Sequence, residues 1–357
     1  MTILDRYILK RLLVTFFFVV FILMTIITVI DITEKMEKFV HHELGFAEVL
    51  GYYLDFIPFI ASLITPLTVF IATVYITARM AGHTEIIAML SSGLSFKRMM
   101  LPYVFGAIII GGLNFYLTGW VIPDSNKTKL DFEIKYLNKP YVYSEQDVHI
   151  QVGPDEFLYL RRYNNNINRG NQFTLEKIID IELKEKLSAK TINWIDSTQK
   201  WRLNDWKHWT MEGEKEVVTT GKHMDTVLAI NPKEFSNDYR RYDGMTIPEL
   251  EEYIGVLKGR GASNIEVYEV EKYVRFTSPF AVLILTFMGV IVSSKKSRGG
   301  AGFRIALGFL LSFIFILLFI LTKSVAEVGD INPAYSVWIP NMIFGTLALI
   351  MYKTVPK

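Results

Sequence analysis

Long stretches almost free of charge alternate with polar segments along this chain. Leu12–Ile30, Tyr52–Ala78, Met99–Ile122, Val274–Val292, Ile305–Leu321 and Ala334–Tyr352 are each about long enough to cross a bilayer, at roughly 20 residues per span. The first run is longer than a signal-peptide core, and no small-x-small cleavage site follows it, so it reads as a permanent anchor. The opening MTILDRYILKRLL is a basic amphipathic lead-in suited to lying along the membrane surface, and Asp31–Gly51 reads as a charged connector. Pro58 and Pro66 predict a kinked or broken second span. Gly106, Gly111, Gly112 and Gly119 would let the third helix approach its neighbours closely.

The pattern changes after Ile122. QDVHIQV, EFLYLRRY, KIIDIELKE, KTINWID, KWRLNDWKHWTM and EVVTTGKHMDTVLAI are short runs rich in β-branched and aromatic residues, some alternating and some mixed. Turn-like segments separate them, as at Asn164–Asn171. They predict a sandwich or jelly roll, with Trp194, Trp201, Trp206 and Trp209 as its core and rim. Thr246-Ile-Pro-Glu then opens a helix that Gly259 and Gly261 end, and Glu266–Phe276 leads helically into the fourth span. The expected organisation is therefore a three-span half over residues 1–122, a β domain over 123–245, a helical hairpin over 246–273 and a second three-span half over 274–357.

Charge sets the orientation. Arg6, Lys10, Arg11, Arg79, Lys97, Arg98, Lys295, Lys296, Arg298, Arg304, Lys353 and Lys357 fall in alternate polar segments, whereas the intervening short loops mix Lys35, Lys38 and Lys323 with acids. The positive-inside rule puts both termini in the cytoplasm and the β domain on the far side. A net charge of only +2 argues against a nucleic-acid partner, and with no cysteine there are no disulfides, thiolate metal sites or Cys nucleophiles.

Chemistry is sparse. The chain lacks a G-x-x-x-x-G-K-[ST] phosphate loop, an H-E-x-x-H helix and a G-x-S-x-G elbow. The expectation is a protein without catalytic residues, metal or cofactor. Span centres carry almost no ionisable groups, which disfavours a carboxylate proton relay. Charges gather at the outer ends instead, with Lys35 and Lys38 after the first span, Arg275 before the fourth and Lys323 at the end of the fifth. They are either snorkelling anchors or a collar of cations for an amphiphile with an anionic head. A membrane enzyme would need carboxylates such as Asp31 and Asp55 to converge.

Between the second and third spans, Thr84 can cap a short helix over about 83–94, Glu85 suits its first turn, and Gly93 suits the position past its end. Glu85, Ala88, Met89 and Ser92 share one face of that helix. Either it docks on a cytosolic partner or it rests on lipid headgroups as an amphipathic connector.

These features together resemble a known family. The opening Leu4-Asp5-Arg6-Tyr7-Ile8, the stretch EIIAMLSSGLS from Glu85 to Ser95, and Leu250, Tyr253, Ile254 and Gly261 leading to Pro279-Phe280 look like the lipopolysaccharide export permeases of the LptF/LptG family, the opening being closer to its LptG branch. The resemblance implies a permease half of an ABC transporter in the bacterial inner membrane, extracting lipopolysaccharide. It implies a cytosolic ATPase dimer that binds the ATP, a second homologous permease, and a periplasmic jelly-roll bridge as partners. The stretch matching the family's ATPase-docking helix contains Glu85, Ala88, Met89, Ser92 and Gly93. Family permeases can carry a basic residue in the outer part of the first span. Thr25–Ile30 is apolar here, and Arg275, at a fixed spacing from Pro279, is the better-placed cation for a lipid phosphate. The alternative is a non-transporting adaptor between a cytosolic ATPase and a periplasmic partner.

Overall fold

The computed structural model describes residues 2–137, 146–153, 155–212, 215–228, 230, 232, 241–259, 265–294 and 300–353. Gly261, Lys295, Lys296, Arg298 and Lys357 lie outside the described residues. The chain forms two compact units, one of Met1–Leu137, Tyr242–Glu251 and Glu266–Lys357, the other of Asn138–Arg241 and Glu252–Ile265.

The first unit is helical. Its helices are α1 (Ile3–His41), α2 (Phe46–Gly82), α3 (Glu85–Ser91), α4 (Phe96–Tyr116), α5 (Ile122–Phe132), α6 (Ile247–Gly259, shared with the second unit), α7 (Ile265–Ser294), α8 (Gly300–Val328), α9 (Pro333–Ser336) and α10 (Ile339–Tyr352). Six helical stretches are long and apolar enough to span a membrane. Helix α2 is central. Val69, Ala72, Ile76 and Met80 pack with Ile8, Leu12 and Phe16 of α1 and Met99, Tyr103 and Ala107 of α4, while Phe70 and Val74 pack with Leu285 and Met288 of α7, Phe315 of α8 and Phe344 of α10. Phe17, Phe18 and Phe21 of α1 and Phe309, Leu310 and Phe313 of α8 face outward, which costs nothing against hydrocarbon. Gly111 is where α4 meets α7, because a Cβ there would lie 3.3–3.4 Å from atoms of Pro279.

Several boundaries differ from expectation for local reasons. The lead-in and the first connector are not separate elements, because α1 runs unbroken for 39 residues. Thr2 and Asp5 form a capping box at its start, and Asp31 pairs with Lys35 one turn apart where the connector was expected. Helix α2 is neither broken nor interrupted at Pro58 or Pro66. Transmembrane helices tolerate such prolines, and the hydroxyls of Ser62, Thr65 and Thr68 nearby bond backbone carbonyls of their own helix. The third span does not stop at Ile122. It continues through π-helical turns at Leu117–Val121 and Glu133–Leu137, because Pro123 occupies the first turn of α5, where an N–H is not needed. The β domain therefore starts later than residue 123.

The second unit carries a sheet of β1 (Gln146–Gly153), β2 (Glu156–Asn164), β3 (Arg169–Ile179), β4 (Glu182–Ile195), β5 (Lys200–Glu212) and β6 (Lys215–Thr226). All neighbours are antiparallel and in sequence order, so the described strands form a meander without the crossovers of a closed jelly roll. Leu160, Phe173, Ala189 and Trp206 lie in one cross-strand row, and Tyr163, Gly170, Ile192 and Leu203 in another. Strict alternation would put Leu160 and Tyr163 on opposite faces, yet both are in one core. The sheet turns a corner between the rows. Arg161-Arg162, Asn171-Gln172 and Lys222-His223 are consecutive exposed pairs there, and Gln172 and Asp205 take positive φ of 52° and 51°. Trp201 is fully buried, its Nε1 donating to the carbonyl of Ile230 at 3.0 Å.

Candidate functional site

Two groups of residues singled out in the sequence lie in the helical unit. The first surrounds α3. Seven residues are too few for a stable isolated helix, so α3 must be held by its surroundings. Thr84 does not cap it. Its φ of 59° lets the chain reverse out of α2, and its side chain makes no cap bond. The C-terminus follows expectation. Gly93 has φ 88°, its N–H donates to Leu90 O at 3.1 Å and the Leu94 N–H to Met89 O at 3.3 Å, the paired bonds of a Schellman ending.

The predicted face divides in two. Ala88, Ser92 and Gly93 are exposed, together with Ile87 and Ser91. Met89 is half-buried against the core that holds Ile86 at 2% exposure. Glu85 turns toward α1. Tyr7 Oη donates to Glu85 Oε2 at 3.1 Å, Arg11 Nη1 stands 3.6 Å from Glu85 Oε1, and the Arg11 guanidinium lies 4.3 Å from the Tyr7 ring centre. At the other end of the same segment, Arg98 makes a two-pronged bond to Asp5, at 2.6 and 2.7 Å. The sequence marks Asp5 and Tyr7 as part of the opening motif and Arg11 and Arg98 as orienting charges, but it does not reveal their pairing with each other or with Glu85. Only the i,i+4 spacing of Tyr7 and Arg11 hinted at a shared face.

The second group comprises the candidate cations. Lys35 Nζ donates to Asp31 Oδ1 and to Tyr52 Oη, both at 2.7 Å, and sits 5.0 Å from the Tyr52 ring. Tyr52 Oη donates on to Glu133 at 3.1 Å, and Tyr53 Oη donates to Asp31 at 2.9 Å. Asp31 is thus a structural acceptor. Lys38, exposed on α1, donates to the carbonyl of Leu137 at 2.6 Å. Arg275 and Lys323 belong to another network and share Glu271, at 3.0 and 3.7 Å. Lys323 also stands 3.7 Å from Glu327. Arg275 is 5% exposed, and its remaining nitrogens donate to the carbonyls of Met245 at 2.6 Å and Tyr242 at 2.9 Å. Of the four, Arg275 is the most enclosed and Lys38 the most open. Among the described residues no group of three His, Asp or Glu side chains could hold a metal ion.

The family model described as "Lipopolysaccharide export system permease LptF/LptG" matches residues 6–354. The chain is similar to the lipopolysaccharide export system permease protein LptG of Haemophilus influenzae, with 22% identity over 351 residues, 96% of this chain and 95% of the relative. It is similar to the protein of that name from Escherichia coli K12, with 20% identity over 362 residues, 97% of each.

Proposed function

The chain belongs to the LptF/LptG family of lipopolysaccharide export permeases, and we propose that it is one permease half of an ATP-driven machine lifting lipopolysaccharide from the inner membrane to a periplasmic bridge. The observation that carries this reading is the family match over residues 6–354, on a chain whose apolar helices bracket an inserted sheet. In this reading a separate cytosolic ATPase dimer binds the nucleotide, a second homologous permease completes the pathway, and the chain itself catalyses nothing.

The short α3 is the element offered to the ATPase. Ala88, Ser92 and Gly93 form its contact side, Met89 seats the helix on the bundle, and Glu85 fixes its start. A short helix laid into a groove is a common recognition mode. Lys38 is the foremost candidate for a lipid phosphate because it is exposed. Lys35 and Lys323 are candidates only if their carboxylate partners release them, and Arg275 only if it gives up two backbone carbonyls. The outer strands β1 and β6, each paired on one side among the described strands, suit edge-to-edge addition of a bridge strand.

Site-specific photocrosslinking in cells tests the proposal. A probe at Ala88 should capture an ATPase, and a probe at Lys38 should capture lipopolysaccharide in an ATP-dependent manner. An ATPase adduct without lipid would point to the adaptor instead, and the absence of both adducts would overturn the proposal.

A further inference from the structure

We infer that the inner end of α1 is a clamp on the α3 segment, with Asp5, Tyr7, Arg11 and Arg98 as positioning residues through which α3 and α1 move as one body. The inference rests on the export reading above and assigns a role that the family match does not give to these side chains.

Three observations carry it. First, α3 has only seven residues and no side-chain N-cap, so its position is set from outside. Second, α1 grips the segment at both ends. Glu85, at the start of α3, is held by Tyr7 and Arg11, and Arg98, in the first turn of α4, is held by Asp5. An isolated surface ion pair contributes little and would carry no such role. Here, however, the Asp5 side chain is 8% exposed, the Arg98 bond is two-pronged, and Asp5 also accepts from the Thr2 backbone N–H in the box that starts α1. Planar pairing of this kind fixes direction as well as distance. Ile86 and Leu12 share one core beneath the clamp, so the polar grip and the apolar packing act on the same pair of elements.

Third, α1 is a single helix from the clamp to the far cations. From Asp5 to Lys38 it rises about 50 Å at 1.5 Å per residue. A push on α3 would therefore be delivered to Lys35, Lys38 and their aromatic partners without crossing a loop. Glu85 is then chiefly an internal tether, and the side of α3 left for a partner is Ile87, Ala88, Ser91 and Ser92.

The test uses the full chain co-purified with its export partners in nanodiscs, reading ATP hydrolysis and lipopolysaccharide transfer separately. Asp5→Arg and Arg98→Asp should each lower transfer per ATP by about tenfold, a typical size for a coupling between sites. The double swap should restore at least half of the loss. The pair Arg11→Glu and Glu85→Arg should behave alike. A second measurement avoids any folding defect. The chain has no cysteine, so Tyr7→Cys with Glu85→Cys can be bridged by a short bifunctional thiol reagent. Unbridged, this pair lacks the bonds of Tyr7 and Arg11 to position 85 and should lower transfer per ATP; bridging should restore it, because the covalent link replaces the tether. No recovery of transfer on bridging, or single reversals with unchanged transfer per ATP, would overturn the clamp. Failure of the unmodified chain to bring down an ATPase would overturn the export reading on which it rests.

Discussion

At the scale of single residues, Arg275 shows how far a side chain's meaning depends on partners remote in sequence. From its place before the fourth span it reads as a cation for a lipid phosphate. In the fold it bonds Glu271 one turn earlier and the carbonyls of Tyr242 and Met245, thirty-odd positions away. Arg275→Met would leave those carbonyls and Glu271 short of a donor in a buried site. It should cost about 3–5 kcal/mol, read as a fall in the thermal unfolding temperature in detergent. Arg275→Lys should recover little of that loss, because an ammonium cannot span the fork. Full stability of Arg275→Met would release the residue for ligand binding. Local signals survive much better. Thr246 opens α6 as the sequence predicts, and with Glu249 it forms a capping box, Thr246 N–H and Oγ1 donating to Glu249 Oε2 at 2.7 and 2.9 Å. The bond from the Thr246 backbone holds the Glu249 carboxyl below its ordinary value, against a smaller opposing effect of burial. A depressed carboxyl stabilises the fold above the unfolded value of about 4.3 and loses that contribution as pH falls through the folded one. Protection factors for the first turn of α6 should therefore drop below about pH 4.3, and the Glu249→Gln variant should show no such step. An equal step in both would assign the acid sensitivity elsewhere. Thr84 marks the boundary of this local legibility. As a residue type it suits a cap, but the reversal out of α2 fixes its φ at 59° and turns the hydroxyl away from that use.

At the scale of elements, the same division separates what periodicity conveys from what it cannot. Apolar runs named the spans, because a bilayer leaves a helix no other way to satisfy its backbone. Their ends were misjudged wherever polar helix formers continued a helix past the apolar run, as from Asp31 to His41, or where Pro123 stood harmlessly in a first turn. The strands were harder. Their mixed patterns look like weak β signals, but they record a corner at which the buried side changes parity in adjacent strands. Gln172 sits on that corner with φ 52°. Valine has the higher strand propensity, yet a β-branched side chain is disfavoured at positive φ. Gln172→Val should thus destabilise the sheet, by about 1–2 kcal/mol. Limited proteolysis of the full chain would show this as faster cleavage within β2–β4. Slower cleavage would mean that propensity governs and the corner account is wrong. The α3 segment illustrates the complementary point. Its Gly93 ending was readable because it is a contact between neighbours in sequence. Its attachment to α1 was not, because Glu85 meets Tyr7 across 78 positions.

At the scale of the whole molecule, the count of spans constrains what sequence proximity cannot. Six membrane-length helices, an even number, would return the C-terminus to the side of the N-terminus under the proposed topology. If each of them spans, the proposed topology requires the loop holding Ser92, which follows the second, to face the side opposite the chain that follows the third. The proposed orientation rests on the basic residues. Arg6, Lys10, Arg11, Arg79, Lys97, Arg98 and Lys353 fall with the termini and α3, whereas the loop after α1 holds His42, Glu43 and Leu44, and that after α8 holds Asp330. Retaining Lys and Arg on the cytoplasmic side fixes orientation more strongly than acids oppose it. With no native cysteine, a single introduced thiol reports its side without ambiguity. In spheroplasts, a membrane-impermeant maleimide should label Lys190→Cys, whose position on β4 is exposed, and should reach Ser92→Cys only after permeabilisation. Label at Ser92→Cys in intact spheroplasts would place α3 where no cytosolic ATPase could meet it, and with it would fall the docking role of α3 and the clamp that serves it.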